Sequence, residues 1–194
     1  IFANEEPAIR TQMRLLNACT GLQRGSILNG SRDLTKKVWG EINPYIENFD
    51  CVGKTMEDLN EYCANNDVDI LIIDQLDKIN VTGKFNATHE KLREVYTQAR
   101  ELAKRHNILV IGMSQASAEA QGRSRVTFST MENSKTGKAA EADLILGLDK
   151  EDEEENFMSD CTRFITLSKN KLTGDHAEFE VVLVPTTSRF AERK

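Results

Sequence analysis

The feature that most restricts the fold is a short run of large apolar residues that stops at an acid. Residues 70–73 read Ile-Leu-Ile-Ile, with no polar residue between them, and Asp74 follows directly. A continuous run of this kind predicts a strand of a parallel sheet that is buried on both faces. In open α/β sheets the ligand crevice lies beyond the carboxyl ends of the strands, so we expect Asp74 at that crevice.

Four apolar residues followed by Asp have the form of a Walker B strand. In such a strand the carboxylate binds a nucleotide-bound Mg²⁺ directly or through water. A buried strand that ends in a capping Asp74 would look the same. The run therefore predicts a strand end with two interpretations, a metal ligand or a cap.

At 194 residues the chain can bury one sizeable core, so we expect residues 1–194 to form a single domain. Hydrophobic residues make up 39% and charged residues 29%, which is typical of a soluble globular protein. No apolar run is long enough to span a bilayer. Composition thus excludes a membrane-spanning chain and a disordered one. The net charge is −6, and six acids with one lysine at 149–155 supply −5 of it, so local basic clusters matter more than the sum.

The four cysteines are widely spaced, with no C-x-x-C pair and no histidine at ligand distance. The pattern predicts neither a zinc site nor a disulfide framework. Reduced thiols in a cytosol-like compartment are the expected state.

The first residues, Ile1-Phe2-Ala3, read as the end of a strand already under way, without a starting Met. We therefore expect the chain to be a fragment. Glu5 and Glu6 follow, and they have two interpretations. They can favour the positive end of the next helix. Alternatively, a carboxylate at the tip of a central strand can orient and polarise water for attack on a γ-phosphate.

Helical spacing of apolar residues predicts helices that end before Gly21, at Ile42 and near residue 106. Between residues 75 and 88 a polar segment is too long for a simple turn and is expected to be functional or mobile. The remaining apolar segments predict strands at 45–49, 108–113, 142–148, 164–167 and 179–184, and the helices cover about 7–20, 33–42 and 88–106.

Gly53-Lys54-Thr55 imitates the end of a phosphate-binding G-x-x-x-x-G-K-[ST] loop. The position five before Gly53 is Asn48, so the first glycine of that loop is missing. Thr55 with Asp58 three residues later is better interpreted as the N-cap of a helix.

Gln115 follows the strand at 108–113, where a neutral amide can donate to a phosphate and act as a sensor; it can equally be a simple cap. Residues 116–138 are rich in Ala, Ser, Gly and basic residues, which suits a nucleic-acid backbone or a solvated linker. Lys169 and Lys171, two residues apart, form a solubilising face or reach a neighbour's triphosphate in an oligomer.

In order and spacing, these segments resemble the motor domain of the hexameric replicative helicases of the DnaB family, including the phage primase-helicase branch. The resemblance covers nearly the whole chain. The segments that carry it are I-F-A-N-E-E-P for the strand ending in a catalytic Glu, D-I-L-I-I-D for Walker B, V-I-G-M-S-Q for the sensor strand, A-D-L-I-L for the strand after the second DNA loop, and S-K-N-K-L-T-G-D for the finger hairpin.

The resemblance implies an α/β fold: a RecA-like three-layer sandwich with a mainly parallel central sheet and a C-terminal antiparallel hairpin. It also implies that the phosphate loop, with its strand and helix, precedes Ile1. We therefore expect a fragment that starts after the Walker A region and does not hold ATP tightly by itself.

Roles for individual residues also follow from the resemblance. Glu5, rather than Glu6, would polarise the attacking water, Asp74 would bind Mg²⁺ and Gln115 would sense the γ-phosphate of ATP. Lys169 and Lys171 would act on the ATP of the neighbouring subunit. The family has Arg where this chain has Lys171, so the charge is kept but the planar fork is lost.

As partners, the resemblance implies single-stranded DNA, other copies of the chain in a homohexameric ring, and a primase or helicase loader, in the cytoplasm of a bacterial or phage-infected cell. Residues 75–87 and 116–138 would flank the central channel. Asn133 stands where the family has Arg. The DNA-binding residues carried over from the family are Asn133, Ser134, Lys135, Thr136 and Gly137.

Two other functions stay open on the sequence. A different RecA-type ATPase, a recombinase or clock-type protein, shares the Walker B and sensor strands, although the S-K-N-K-L-T-G-D hairpin fits it less well. A non-hydrolysing interaction module would keep the sheet and lose the nucleotide site.

Overall fold

The computed structural model of the chain describes residues 1–4, 6–30, 32–116, 140–150 and 161–192. Helices and strands alternate in the first part, and strands dominate the last. The helices are α1 (Ala8–Thr20), α2 (Arg24–Asn29), α3 (Arg32–Ile42), α4 (Met56–Asn65) and α5 (Thr88–His106). The strands are β1 (Phe2–Ala3), β2 (Phe49–Asp50), β3 (Ile70–Ile73), β4 (Leu109–Gly112), β5 (Leu144–Asp149), β6 (Thr162–Asn170), β7 (Glu178–Val184) and β8 (Arg189–Glu192).

The first four strands form a parallel sheet in the order β2-β1-β3-β4. The chain crosses the sheet in one direction from β2 to β3 and from β3 to β4, and in the other from β1 to β2. Right-handed crossovers therefore place α1–α3 on the opposite face from α4 and α5. The α/β fold and the parallel sheet predicted from the sequence are confirmed.

The main core lies between the sheet and the helices α4 and α5. Leu71 and Ile73 of β3 point into it and meet Leu59 of α4 and Val95 of α5, all of them at most 2% exposed. Helix α5 contributes the apolar stripe that its helical spacing predicted. Its bounds, Thr88–His106, are those expected from the sequence.

The prediction that the strand at 70–73 is buried on both faces is wrong for the described residues. Alternate side chains point to opposite faces, and Ile70 is 53% exposed whereas Leu71 is buried. On the neighbouring strand Leu109 and Ile111 are 55% and 39% exposed on the same face as Ile70. In the described part of the chain, α4 and α5 cover only the face of β3 that carries Leu71 and Ile73.

The C-terminal strands form a second, antiparallel sheet in the order β5-β6-β7-β8. Its central hairpin was predicted, but β6 extends to Asn170 and takes in three residues expected in the turn. Strand β8 was not predicted. Its Phe190 and Ala191 pair with Leu183 and Val182 of β7, although all four residues of β8 are exposed. Because none of its residues is buried, β8 does not need the pattern of apolar residues by which a strand is predicted from sequence.

Two sets of contacts join the sheets through helices. Arg189 of β8 donates from Nε to the carbonyl of Ala18 at 2.5 Å and from a terminal nitrogen to that of Cys19 at 3.2 Å. Arg100 of α5 donates to the carbonyl of Glu141, just before β5, at 2.5 Å. The antiparallel sheet is therefore held at the C-terminal end of α1 and on the side of α5.

Other differences from the sequence-based expectations are local. The strand expected at 45–49 is only Phe49–Asp50, because Asn43–Tyr45 forms a 3₁₀ turn around Pro44 and β1 offers two residues for pairing. Helix α2 was not expected. The segment after Asp74 was expected to be a polar loop, but its residues Leu76 and Ile79 are buried in the core.

The expected N-cap at Thr55 is present. Its hydroxyl accepts from the backbone N–H of Asp58 at 3.2 Å, and the Asp58 carboxylate accepts from the backbone N–H of Thr55 at 2.7 Å. Lys54, from the apparent phosphate-loop motif, lies 3.9 Å from the same carboxylate. Thr55 and Asp58 form a capping box at the start of α4, and Lys54 is an ion-pair partner of its carboxylate.

We expect Thr55→Ala to lower the free energy of unfolding by about 1 kcal/mol, because it removes one side of the capping box. Urea denaturation measures the change. Thr11→Ala is the matched control, since Thr11 lies inside α1 and alanine is the better helix former there. Equal losses for the two variants would contradict the capping role.

None of the helices in the described ranges combines the length and apolar character needed to cross a bilayer.

Candidate functional site

Polar residues follow two adjacent strands of the parallel sheet at the same edge. Ile73 pairs with Gly112, and the backbone N–H of Met113 donates to the carbonyl of Ile73 at 3.0 Å. On the other side, the N–H of Asp74 donates to the carbonyl of Phe2 at 2.9 Å. Because the strands are parallel, Asp74 and the segment that ends in Gln115 leave the sheet side by side.

The turn after Asp74 folds back against the next strand. Gln75 is buried and has a left-handed backbone (φ 52°), which is uncommon for a residue other than glycine. Its neighbour Leu76 donates its N–H to the carbonyl of Met113 at 2.8 Å. A Cβ on Gly112 would lie 2.6 Å from Leu76 Cδ2, so a side chain at this position would force the buried Leu76 side chain to move. The turn is thereby fixed to the end of β4.

A carboxylate three residues after Asp74 connects this turn to two other elements. Asp77 Oδ1 accepts from the Tyr96 hydroxyl of α5 at 2.7 Å, and Asp77 Oδ2 accepts from the Ser114 hydroxyl at 2.8 Å. Burial, and after it the negative charge of Asp77, raises the pKa of Tyr96, so its phenol stays protonated and can donate. Sequence reasoning missed Asp77. The available signal was Tyr96 in the buried stripe of α5, because a buried phenol needs a partner.

Two lysines lie at the end of β6 and in the turn after it. Lys169 pairs with Ile145 of β5, and Lys171 follows the last residue of β6. Burial, and after it the positive charge of Lys171, lowers the pKa of Lys169. The positive charge of Lys171 thus acts on Lys169.

Lys171 is held by the residues that precede β5. Its Nζ donates to the carbonyl of Ala140 at 3.1 Å and lies 3.4 Å from Asp143 Oδ1, and its backbone N–H donates to the Asp143 carbonyl at 2.9 Å. Arg100 of α5 lies 3.3 Å from the same Asp143 oxygen. Asp143 and Arg100 were not among the predicted site residues. Asp143 and Arg100 connect the turn that contains Lys171 to α5.

Several predicted site residues lie outside the described residues. Glu5 is one of them, and so are Asn133, Ser134, Lys135, Thr136 and Gly137. Glu6, next to Glu5, is described and pairs with Arg14 at 2.7 Å and with Arg10 at 3.9 Å. Glu6 therefore stabilises the first turns of α1.

A parallel sheet with polar residues at adjacent strand ends, followed by an antiparallel sheet, is the arrangement of a RecA-like α/β domain. Within that class it belongs to the family of the DnaB-like helicase C-terminal domain, whose model matches residues 1–192. None of the curated proteins compared with the chain matches it.

Two solved structures share the fold. The first is a DnaB-like replicative helicase, studied for its interactions with primase, with a TM-score of 0.84 and 18% identity over 100% of this chain and 50% of that one. The second is the ATPase domain of G40P, with a TM-score of 0.82 and 16% identity over 100% of this chain and 73% of that one. The chain thus spans half the length of the first structure.

Proposed function

We propose that the chain is the larger, C-terminal part of the motor domain of an ATP-dependent replicative DNA helicase. In the complete protein the motor translocates on single-stranded DNA and unwinds duplex. The observation that supports this most is the common edge of β1, β3 and β4, where Asp74 and Gln115 follow adjacent strands in a chain of the DnaB-like helicase family.

Each residue assigned to the site has a distinct role in the proposal. Asp74 binds Mg²⁺, Glu5 polarises the attacking water and Gln115 contacts the γ-phosphate. Lys169 and Lys171 project to the ATP of the neighbouring subunit, where they neutralise charge that develops in the transition state. The phosphate loop comes from sequence that precedes these residues.

The residues present fit a metal that arrives with the nucleotide. Among the described residues no group of three or more His, Cys, Asp or Glu side chains could hold an ion by itself. Mg²⁺ is usually bound by one or two carboxylates together with phosphate oxygens and water. Asp74 at the strand end is suited to that arrangement. The ion would help to neutralise the phosphate charge.

The active assembly in this proposal is a homohexameric ring with DNA in its channel. ATP lies between adjacent subunits, so that hydrolysis uses Glu5 and Asp74 of one subunit and the lysines of the next. Residues 75–87 and 116–138 flank the channel, and residues 133–137 contact the DNA backbone. A primase or helicase loader is the proposed protein partner, in line with the relative studied for its interactions with primase.

The experiment that tests this function is ATP hydrolysis by the full-length protein, measured with and without single-stranded DNA. We expect Mg²⁺-dependent hydrolysis that single-stranded DNA stimulates more than blunt duplex, together with unwinding of a forked duplex. A full-length protein that binds partners but hydrolyses no nucleotide would contradict the proposal and support the interaction module instead.

For the DNA loop, we expect Lys135→Ala to weaken binding to single-stranded DNA. The slope of log K against the logarithm of the salt concentration should become shallower by about 0.7, the value for one phosphate contact on a single strand. Fluorescence anisotropy over a series of salt concentrations measures both. Lys104→Ala, an exposed lysine of α5, is the matched control. An unchanged slope for Lys135→Ala, or the same change in both variants, would contradict the loop assignment.

A further inference from the structure

Three separate elements meet at the carboxylate of Asp77. The residue lies in the 3₁₀ turn Leu76–Lys78 that follows β3 and Asp74. One of its oxygens accepts from Tyr96 in the middle of α5, and the other accepts from Ser114 after β4. Each carboxylate oxygen thus receives one hydroxyl. Hydrogen bonds to an ionised carboxylate are stronger than those between neutral groups.

The network is sheltered and anchored in the core. Tyr96 is only 9% exposed, and it lies in the same apolar cluster as Val95 and Ala99 of α5. Helix α5 is 19 residues long, and its buried stripe packs on β3. Asp77 therefore ties the turn and Ser114 to one well-packed element.

The position of Asp77 links it to two proposed site residues. It comes three residues after Asp74, and Ser114 immediately precedes Gln115. A backbone hydrogen bond, from Leu76 to Met113 at 2.8 Å, joins the same two segments. The side-chain network and this bond together restrict the distance between the strand ends.

We propose that Asp77 is a positioning residue that fixes Gln115 relative to Asp74, with Ser114 and Tyr96 donating to its carboxylate. This inference rests on the proposed function, because it assigns Gln115 to the γ-phosphate. Asp77 itself does not contact the nucleotide. It holds Gln115 in the orientation required for hydrolysis. Loss of its hydrogen bonds therefore lowers the rate of the chemical step more than it weakens nucleotide binding.

The decisive substitution is Ser114→Ala, because it removes the donor next to Gln115 and leaves Asp77 and Tyr96 in place. In full-length protein we expect kcat for ATP hydrolysis to fall about tenfold, as when the partner of an active-site group is removed, with KM for ATP nearly unchanged. Ser114→Thr keeps a hydroxyl and is expected to retain kcat.

Asp77→Asn gives a second, independent variant. If the Ser114 hydroxyl acts through Asp77, adding Ser114→Ala to Asp77→Asn reduces kcat little further, since the interaction is already weakened. Tyr62→Phe is the matched control, because the Tyr62 hydroxyl donates to Glu47 in a tyrosine–carboxylate pair outside this network. It is expected to keep the kcat of the wild-type protein.

Amide hydrogen exchange on the same proteins without nucleotide gives a readout that does not need activity. We expect Ser114→Ala to speed exchange of the Leu76 amide, and Tyr62→Phe to leave it unchanged. If the wild-type protein hydrolyses ATP and Ser114→Ala leaves kcat intact, the positioning role is overturned. If the wild-type protein does not hydrolyse ATP, the proposed function fails, and unchanged exchange at Leu76 then overturns the role of Asp77 as well.

Discussion

Replacing Glu5 by Gln is expected to abolish ATP turnover in the full-length protein while leaving ATP binding intact. The substitution keeps the size of the side chain but removes the carboxylate that would polarise the attacking water. Loss of a general base typically costs 10²–10⁴-fold, so we expect kcat to fall about 1000-fold. Steady-state hydrolysis measures turnover, and a fluorescent ATP analogue measures binding.

Glu6→Gln is the matched control for this substitution. Glu6 is the adjacent glutamate, and its carboxylate pairs with Arg14 and Arg10 of α1. It is therefore expected to keep kcat within a small factor of the wild-type value. Normal turnover in Glu5→Gln, or equal losses in the two variants, would show that the water-polarising residue is not Glu5.

Lys171→Ala is expected to have an effect of similar size for a different reason. A cation supplied to the transferring phosphate by a neighbouring subunit is worth about 10³-fold or more in kcat. The contacts of Lys171 with Ala140 and Asp143 are largely exposed, so their loss should not unfold the protein. Lys171→Arg keeps the charge and adds the planar fork, so it is expected to retain activity.

Lys54→Ala is the control for the loss of a lysine. Lys54 belongs to the apparent phosphate-loop motif, but it lies beside Asp58 in the capping box of α4. We expect normal turnover in Lys54→Ala. A loss as large as that of Lys171→Ala would contradict the capping interpretation and restore the phosphate-loop reading of Gly53-Lys54-Thr55.

Local signals in the sequence were sufficient for several elements. The apolar run at 70–73 predicted β3, because a parallel strand needs no alternation of polar residues. The stripe of Leu92, Val95 and Ala99 predicted α5, and Gly21 marked the end of α1 in a left-handed conformation. Each of these signals depends on residues close together in the chain.

The contacts around Asp77 and Asp143 could not be predicted in the same way. Asp77 binds residues 19 and 37 positions away, and Lys171 lies 28 positions from Asp143. Such pairs depend on the register of the strands and on how α5 packs. Strand β8 and helix α2 were missed because little of their side-chain surface is buried, so the apolar pattern is weak.

The exposed face of β3 and β4 shows the limit of reading burial from sequence. The apolar run at 70–73 predicted burial on both faces, yet Ile70 is exposed, as are Leu109 and Ile111 of the neighbouring strand on the same face. Periodicity tells which residues favour burial, but not which segment covers them.

The measurement that tests the central claim most directly mixes Glu5→Gln and Lys171→Ala subunits. If one ATP site uses Glu5 of one subunit and Lys171 of the next, a ring made of either variant alone contains no complete ATP site. Mixed rings then regain complete sites at about one quarter of interfaces, because the two halves of each interface are drawn independently at equal concentrations. The amount of ATP hydrolysed in the first turnover, the burst, counts those complete sites. Affinity tags on the two variants verify that the rings are mixed. We predict a burst in the mixture and none in either variant alone. Verified mixed rings without a burst would contradict a site shared between subunits.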